Sequence, residues 1–241
     1  MPADVLSTPL SPQRIAPPSG SGVVASRPAL DAAAVADADR RLANATPTEV
    51  IRWSVDTFGP RLVVTTSFAD TTLLALAVDV EPDIEVVFLD TGFHFAETLG
   101  LLRRAMDRYG LNLTVLRPHP SAVDVWSHDD TSCCQQRKVD PLDRYLTARA
   151  DAWISGLRRA DSPERADQPI VSIDRRGLVK VNPLAAMTDE DHAALLVERD
   201  ILVNPLHAEG YDSIGCWPCT RPGTGRDGRW GATKTECGLH L

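Results

Sequence analysis

Apolar and polar residues alternate along this chain in blocks that predict strands and helices in turn. Four short β-branched or apolar runs predict buried strands: "RLVVTT", "IEVVFL", "LNLTVL" and "DAWISGL". The stretches between them predict helices, among them "TTLLALAV", Ala96–Tyr109 and residues 134–149. Continuous apolar strands separated by helices are typical of a parallel sheet that is covered on both faces. We therefore expect an α/β fold with a Rossmann-like parallel sheet.

Helical patterns also flank this block on both sides. Residues 31–58 have such a pattern, with Thr46 or Thr48 as a candidate cap and Pro47 suited to a first turn. Further along, "TDEDHAALLVERD" predicts a capped helix. Both ends of the sheet region should therefore be covered by helices.

The remaining segments define the predicted organisation of the chain. The run "IVSIDRRGLVKV" predicts a hairpin that turns at Arg176 and Gly177, and the chain is loop-rich from Ile201 onwards. The first 30 residues are rich in Pro, Ser, Gly and Ala without hydrophobic periodicity, which predicts a disordered leader. The predicted units are a leader (1–30), an α/β domain (31–215) and a C-terminal segment (216–241).

Net charge restricts the partners of this protein. Its 241 residues include 25 Lys and Arg against 33 Asp and Glu, a net charge of -8. This balance argues against broad binding to nucleic acid or to an anionic membrane, so any anionic ligand must be held by a local basic cluster. No apolar run approaches the roughly 18 residues of a membrane span, and the N-terminus lacks the layout of a secretion signal. We expect a cytoplasmic protein.

Polar and small residues follow the predicted strands. In open α/β sheets, ligands bind beyond the carboxyl ends of the strands. The loop "TTSFADTT" offers an anion site at a helix N-terminus, or it is an ordinary turn. In "DTGFH", a carboxylate could accept hydrogen bonds from a ribose or amine, and glycine would admit a ligand closely; a capped turn with a packed histidine is the alternative. The candidate binding residues at these ends are Ser67, Asp90, Thr91, Gly92 and Gly156.

Five cysteines form an adjacent pair, a C-x-x-C pair and a terminal single: Cys133 and Cys134, Cys216 and Cys219, and Cys237. In a reducing compartment such a set indicates metal binding or redox chemistry. Adjacent helical side chains diverge by roughly 100°, which is poor for one tetrahedral ion but allows each to bind a different iron. Four thiolates suit a 4Fe-4S cluster. Structural zinc and a thioredoxin-like dithiol at the C-x-x-C remain alternatives, in that order.

Basic residues gather near these cysteines and after the last apolar strand. Guanidinium groups bind sulfate or phosphate through paired hydrogen bonds, so the cluster is a candidate oxyanion site. For any single arginine, a solvated surface position is the favoured explanation. The members are Arg137, Lys138, Arg158, Arg159, Arg221, Arg226 and Arg229.

Several motifs together resemble one enzyme family. They are "LDTGFHFAET", "CCQQRKVDPL", "SGLRRADSP", "NPLHAEGYDSIGCWPCTRP", "GRDGRW" and "KTECGLH", which run from about residue 60 to the end of the chain. In this order they resemble the iron-sulfur adenylylsulfate (APS) reductases of the APS/PAPS reductase family, which have a PP-loop nucleotide fold. One departure concerns the S-G-x-x-D-S phosphate loop of that fold. Here Phe68 replaces a glycine and Thr71 stands where the acid is expected, next to Asp70.

The resemblance implies a role for each matching residue. Cys133, Cys134, Cys216 and Cys219 would ligate a 4Fe-4S cluster, and Cys237 would be the nucleophile. The remaining assignments would be Lys138 between cluster and substrate, Arg158 or Arg159 on the nucleotide or sulfate, Arg226, Arg229 and His240 in a mobile C-terminal part of the site, Ser67 at the start of the phosphate loop, and Leu89 and Gly92 in the adenosine pocket.

The implied reaction is the reduction of APS to sulfite and AMP through an S-sulfonate on Cys237, with thioredoxin as electron donor. It would serve assimilatory sulfate reduction and cysteine biosynthesis. The alternatives are a PAPS reductase with the same mechanism, a non-redox PP-loop adenylyl transferase or hydrolase, and a zinc-stabilised nucleotide-binding module. Homo-oligomerisation is left open.

Overall fold

The computed structural model describes residues 30–123, 130–230 and 238–239. Nearly all of the predicted leader lies outside the described residues, as do Cys237 and His240. No helix in the described ranges is long and apolar enough to cross a membrane.

Helices and strands alternate along the described chain, as the apolar runs predict. The helices are α1 (Ala32–Leu42), α2 (Pro47–Phe58), α3 (Thr72–Val80), α4 (Ala96–Tyr109), α5 (Asp130–Cys134), α6 (Asp140–Arg149) and α7 (Asp189–Glu198). The strands are β1 (Leu62–Thr66), β2 (Glu85–Leu89), β3 (Asn112–Leu116), β4 (Ala152–Ile154), β5 (Val171–Ile173) and β6 (Val179–Val181).

These strands form one six-stranded sheet in the order β3-β2-β1-β4-β6-β5. All neighbouring pairs are parallel except β5 and β6, which form the predicted hairpin. Its turn is closed by a hydrogen bond from the Gly177 amide to the Asp174 carbonyl oxygen, 2.9 Å. The expected α/β fold with a mostly parallel sheet is confirmed.

Two hydrophobic layers cover the two faces of the sheet. Val64 of β1 belongs to a large core built with α1 to α4. The preceding residue, Val63, packs on the opposite face with Trp153 and with Leu142 and Leu146 of α6. Because successive strand residues point to opposite faces, this alternation buries both sides of the strands.

The strand order reverses between β1 and β4. From β1 the chain continues to β2 and β3 on one side of the sheet, whereas β4, β6 and β5 lie on the other. Such a switch point opens a crevice beyond the carboxyl ends of the two central strands. The loops after β1 and β4 therefore form the walls of a binding site.

The helix that carries the cysteine pair differs from its prediction. It begins at Asp130 rather than at Cys134, and a π-helical turn, Gln135–Val139, separates α5 from α6. A π turn inserts an extra residue into the helical repeat and rotates the side chains that precede it. The turn follows directly on Cys134 and contains Lys138.

Candidate active site

A cavity of about 680 Å³ lies beyond the carboxyl ends of the central strands. This volume is within the range of pockets that hold a nucleotide-sized ligand. The loops after β1, β2 and β4 all contribute to its wall. The candidate residues that line it are Ser67, Leu89, Lys138, Gly156, Arg158, Arg226 and Arg229.

The loop after β1 follows an unusual path at Phe68. This residue is fully buried and has a left-handed backbone, φ +56°. Asn204 holds the loop from outside the sheet: its side-chain amide donates to the Phe68 carbonyl oxygen at 3.1 Å, and its backbone amide donates to the Ala69 carbonyl oxygen at 3.0 Å. The loop is therefore fixed by the segment around residue 204 and not by glycine.

Asp70, and not Thr71, faces the cavity from this loop. Thr71 is fully buried, with its hydroxyl 3.1 Å from the Tyr109 hydroxyl. Asp70 accepts a hydrogen bond from the Thr72 amide, 2.7 Å, at the start of α3. Burial raises the pKa of the Asp70 carboxyl, but the hydrogen bonds from His192 and Thr72 outweigh it and the net pKa is lowered. Asp70 is an anion on the cavity wall.

Only one of the two adjacent arginines after β4 lines the cavity. Arg158 does so, and its guanidinium pairs with Asp161 at 3.1 Å and with Asp189 at 2.9 Å. Arg159 instead donates to the Gln168 carbonyl oxygen at 2.8 Å, outside the cavity wall. Of the two candidate arginines, Arg158 is therefore the one at the cavity wall.

Four thiols meet in a second, smaller cavity of about 20 Å³, which is lined by Cys133, Cys134, Cys216 and Cys219. None of these four is in a disulfide within the described chain. Burial and, to a smaller extent, the three neighbouring cysteines together raise the pKa of Cys133 to about 11, against the lowering effect of Arg137. Without metal, this thiol is protonated at neutral pH. In the ranges that the structure describes, no group of three or more His, Cys, Asp or Glu is arranged to hold a single metal ion.

The "DTGFH" motif supports the thiols and does not line the large cavity, apart from His94. Thr91 Oγ1 lies 3.3 Å from Cys216 Sγ, and the Trp217 amide donates to the Phe93 carbonyl oxygen at 2.9 Å. His94 packs against the Phe88 ring with Nε2 2.8 Å from the Leu89 carbonyl oxygen, and burial lowers its pKa. It is a neutral, packed histidine, which agrees with the structural alternative.

Asp90 of this motif and Arg137 of the π turn have partners away from the wall of the large cavity. Asp90 pairs with Arg117 at 3.1 Å and accepts the Gly92 amide at 3.1 Å. Arg137 donates to the Thr91 carbonyl oxygen at 3.0 Å and to the Val123 carbonyl oxygen at 2.7 Å. These contacts join the turn to the helix that carries the cysteine pair.

Three residues line both cavities and so form the wall between them: Lys138, Arg229 and Trp230. The Arg229 guanidinium donates to Ser213 Oγ at 3.0 Å and lies 4.3 Å from the centre of the Trp230 ring. Gly215 makes room for it, because a Cβ atom there would overlap the guanidinium. Two cations thus stand between the thiols and the large cavity.

The chain returns to this wall beside Cys237. Leu239 lines the large cavity and packs with the core that contains Val87. A Cβ atom at Gly238 would come within 3.5 Å of Val139, the neighbour of Lys138. Gly238 and Leu239, the two described residues that follow Cys237, therefore lie beside Val139 and the large cavity.

Sequence reasoning missed several polar residues of the cavity. Asp161, Arg165, Asp189 and His192 line it, but they occur in loops and on a helix whose charges are typical of a solvated face. Trp230 was part of the quoted "GRDGRW" run and received no role. Its left-handed backbone, φ +53°, is not visible in the residue type.

The fold and its two adjoining cavities define a Rossmann-like α/β protein with a ligand site at the switch point and a four-thiol site beside it. The profile of the phosphoadenosine phosphosulfate reductase domain matches residues 61–222. The chain therefore belongs to the phosphoadenosine phosphosulfate reductase family, a family of enzymes, and the resemblance identified from the motifs is confirmed.

Individual relatives agree with this assignment. The chain is 44% identical to the adenosine 5'-phosphosulfate reductase of Mycobacteroides abscessus, over 83% of this chain and 90% of that protein. It is 42% identical to the enzyme of the same name from Mycobacterium tuberculosis strain H37Ra, with the same coverage. Among solved structures, it matches a Candida auris phosphoadenylyl-sulfate (PAPS) reductase with a TM-score of 0.71 and 26% identity, over 80% of this chain and 98% of that one. Candida glabrata FMN adenylyltransferase, at 15% identity, a TM-score of 0.58 and coverage of 82% and 70%, shares the fold.

Proposed function

We propose that this enzyme reduces adenylyl sulfate (APS) to sulfite and AMP, with Cys237 as the nucleophile. The observation that carries the proposal is the wall of Lys138 and Arg229 shared by the nucleotide-sized cavity and the four-thiol cavity. A cationic wall at that position suits the sulfate end of the substrate. The names of the relatives, which are APS reductases, support the same substrate.

The large cavity would hold the AMP part. Its position beyond β1 and β4 is the usual ligand position of open α/β sheets. Ser67 and the start of α3 offer amide groups and the positive end of a helix dipole to the α-phosphate. The adenosine would contact Leu89 and Gly156, while the sulfate would face Lys138, Arg226 and Arg229.

The four thiols would hold a 4Fe-4S cluster. The donor set fits, because four cysteines line one cavity. Arg137, Lys138 and Arg229 line the same cavity and would balance the negative charge of the thiolates. When bound, the cluster supplies a fixed charge beside the sulfate end.

The chemistry would proceed in two thiol steps. The Cys237 thiolate attacks the sulfur of APS, an S–S bond forms, the S–O bond breaks and AMP leaves. A thioredoxin dithiol then attacks Cys237 Sγ and releases sulfite, and its second thiol resolves the mixed disulfide. The dithiol supplies both electrons. Lys138 and Arg229 would stabilise charge on the sulfonate oxygens, and His240 would favour the Cys237 thiolate.

This chemistry requires a compartment in which thiols stay reduced, so we place the enzyme in the cytoplasm. The division into a leader, an α/β domain and a C-terminal segment that carries Cys237 belongs to the same proposal. A mobile segment of this kind would bring Cys237 first to the substrate and then to thioredoxin.

A turnover assay tests the proposal and its alternatives. The holoenzyme with thioredoxin, thioredoxin reductase and NADPH should release sulfite and AMP in equal amounts from APS. It should release much less sulfite from PAPS, where the accompanying product is adenosine 3',5'-bisphosphate. Cys237→Ser should release neither. AMP without sulfite from Cys237→Ser would identify a hydrolase, and a preference for PAPS would overturn the choice of substrate.

A further inference from the structure

Asp70 creates an electrostatic problem within the proposed site. Its lowered pKa keeps a carboxylate on the wall of a cavity that takes an anionic nucleotide. A fixed negative charge at that position weakens anion binding unless a cation offsets it.

His192 is placed to offset this charge. It projects from α7 into the same cavity, with its side chain 17% exposed. Nε2 lies 3.4 Å from Asp70 Oδ2 and 3.0 Å from Thr72 Oγ1. The imidazole therefore contacts both the acid of the loop after β1 and the first residue of α3.

Four other charged groups of the cavity wall pair with one another, while Lys138, Asp212, Arg226 and Arg229 complete the charged lining. On α7, Asp189 pairs with Arg158, which also pairs with Asp161 from the loop after β4. Asp161 in turn pairs with Arg165 at 2.9 Å. The pair of Asp70 and His192 differs from these, because a histidine gains or loses its charge near neutral pH while Asp70 stays ionised.

We propose that His192 is a positioning residue of the nucleotide site, and that binding of the sulfonucleotide anion is coupled to protonation of its imidazole. The inference rests on the proposed function. With neutral His192 the pair carries one negative charge beside the anion, and with protonated His192 it carries none. A bound anion favours the protonated form, and by reciprocity protonation strengthens anion binding.

The coupling predicts weaker binding as pH rises. We expect the affinity for APS to fall about fivefold between about pH 5.5 and about pH 8.5, with net proton uptake on binding near pH 7. The sulfate and phosphate of APS remain ionised throughout this range, so the ligand itself contributes no change of charge.

Calorimetry of the Cys237→Ser holoprotein with APS tests this coupling, because that variant cannot form the S-sulfonate. Titrations across this pH range, in buffers of different ionisation heat, give both the affinity and the protons taken up. Adding His192→Gln, whose amide can still donate to Asp70, should abolish the pH dependence and the proton uptake. Adding His119→Gln, the control at an exposed histidine outside the cavity wall, should leave both unchanged.

Either reversal overturns the inference: proton uptake retained with His192→Gln, or lost with His119→Gln. If His192→Gln does not fold, NMR of ring-labelled histidine in the Cys237→Ser protein decides instead. The His192 ring must then hold its proton to higher pH when APS is bound, and an unchanged titration counts against coupling. If the Cys237→Ser protein binds no APS at any pH, the proposed function fails as well, whereas pH-independent binding overturns only the inference.

Discussion

Phe68 has a left-handed backbone at a position where glycine would be unstrained. The conformation costs about 1–2 kcal/mol for a residue with a side chain. Against this, the fully buried ring packs edge-to-face on Phe88, with ring centres 5.3 Å apart. Burying a Phe side chain contributes about 1.5–3 kcal/mol. The core contact therefore offsets the strain, which explains how this loop keeps its path without glycine.

Replacing Phe68 with glycine tests this balance. Phe68→Gly should lower the free energy of unfolding by about 2 kcal/mol, because the lost ring outweighs the relieved strain. Asp200→Gly is the matched control, since Asp200 also has a positive φ, +48°, but its side chain is 91% exposed. That change should be neutral or stabilising by up to about 1 kcal/mol. Urea unfolding measures both, and a stabilised Phe68→Gly would contradict the account.

Gly215 matters because the Arg229 guanidinium occupies the space of a side chain there. Gly215→Ala should displace Arg229 from the shared wall and lower kcat/KM for APS by about tenfold or more. Gly100→Ala is the control, since Gly100 lies in α4 with open space around its Cα. The control should stabilise the helix by up to about 1 kcal/mol and leave the kinetics unchanged. Equal kinetics for both variants would show that Arg229 does not act at this wall.

The local pattern of apolar and polar residues predicts the strands of the sheet and the helices that cover it, because each of these elements buries a defined face. The four apolar runs are β1 to β4, and the hairpin is β5 and β6. The pairing of β6 with β4 was not predictable, since it depends on which sheet edge remains open after folding. The π turn at Gln135–Val139 was also missed, because a single added residue barely changes the apolar period.

The start of α2 is a local feature that a substitution can test. Thr46 caps this helix: its hydroxyl accepts the Glu49 amide at 3.3 Å, and the Glu49 carboxylate accepts the Thr46 amide at 2.7 Å. Thr46→Ala should lower the free energy of unfolding by about 1 kcal/mol. Thr48→Ala, the other candidate cap, should change it by less than about 0.5 kcal/mol. Thermal unfolding of both variants measures the difference, and equal effects would contradict the assignment of the cap.

Only those parts of the candidate site could be predicted whose function shows in residue type and spacing. Cysteines in pairs are visible in the sequence, and the structure brings all four into one cavity. Arg158 and Arg159 could not be separated, because they are the same residue type and the side chain that turns towards the cavity depends on the local backbone, which is extended at Arg158 and 3-10 helical from Arg159. His192 was invisible, because its partner Asp70 is 122 positions away and only the fold places α7 over the loop after β1.

The described parts of the chain form two adjoining cavities, and the smaller one is lined by four cysteines. Because a bound cluster would protect these four thiols, the proposed cluster can be tested without an assay of activity. With a 4Fe-4S cluster bound, alkylation should modify one of the five cysteines, Cys237. After removal of iron and unfolding in denaturant, it should modify all five. Mass spectrometry counts the adducts, and metal analysis should find iron and sulfide without zinc. Zinc in place of iron, or five reactive thiols in the holoprotein, would contradict the assignment.

The central claim is that Cys237 carries the sulfonate between substrate and reductant. The most direct measurement is the intact mass of anaerobically purified holoenzyme after incubation with APS and no reductant. We predict the mass increase of one S-sulfonate on the wild type and none on Cys237→Ala, with the adduct discharged as sulfite by reduced thioredoxin. An unmodified wild type with an intact cluster and bound APS, or an adduct that persists in Cys237→Ala, would contradict the account.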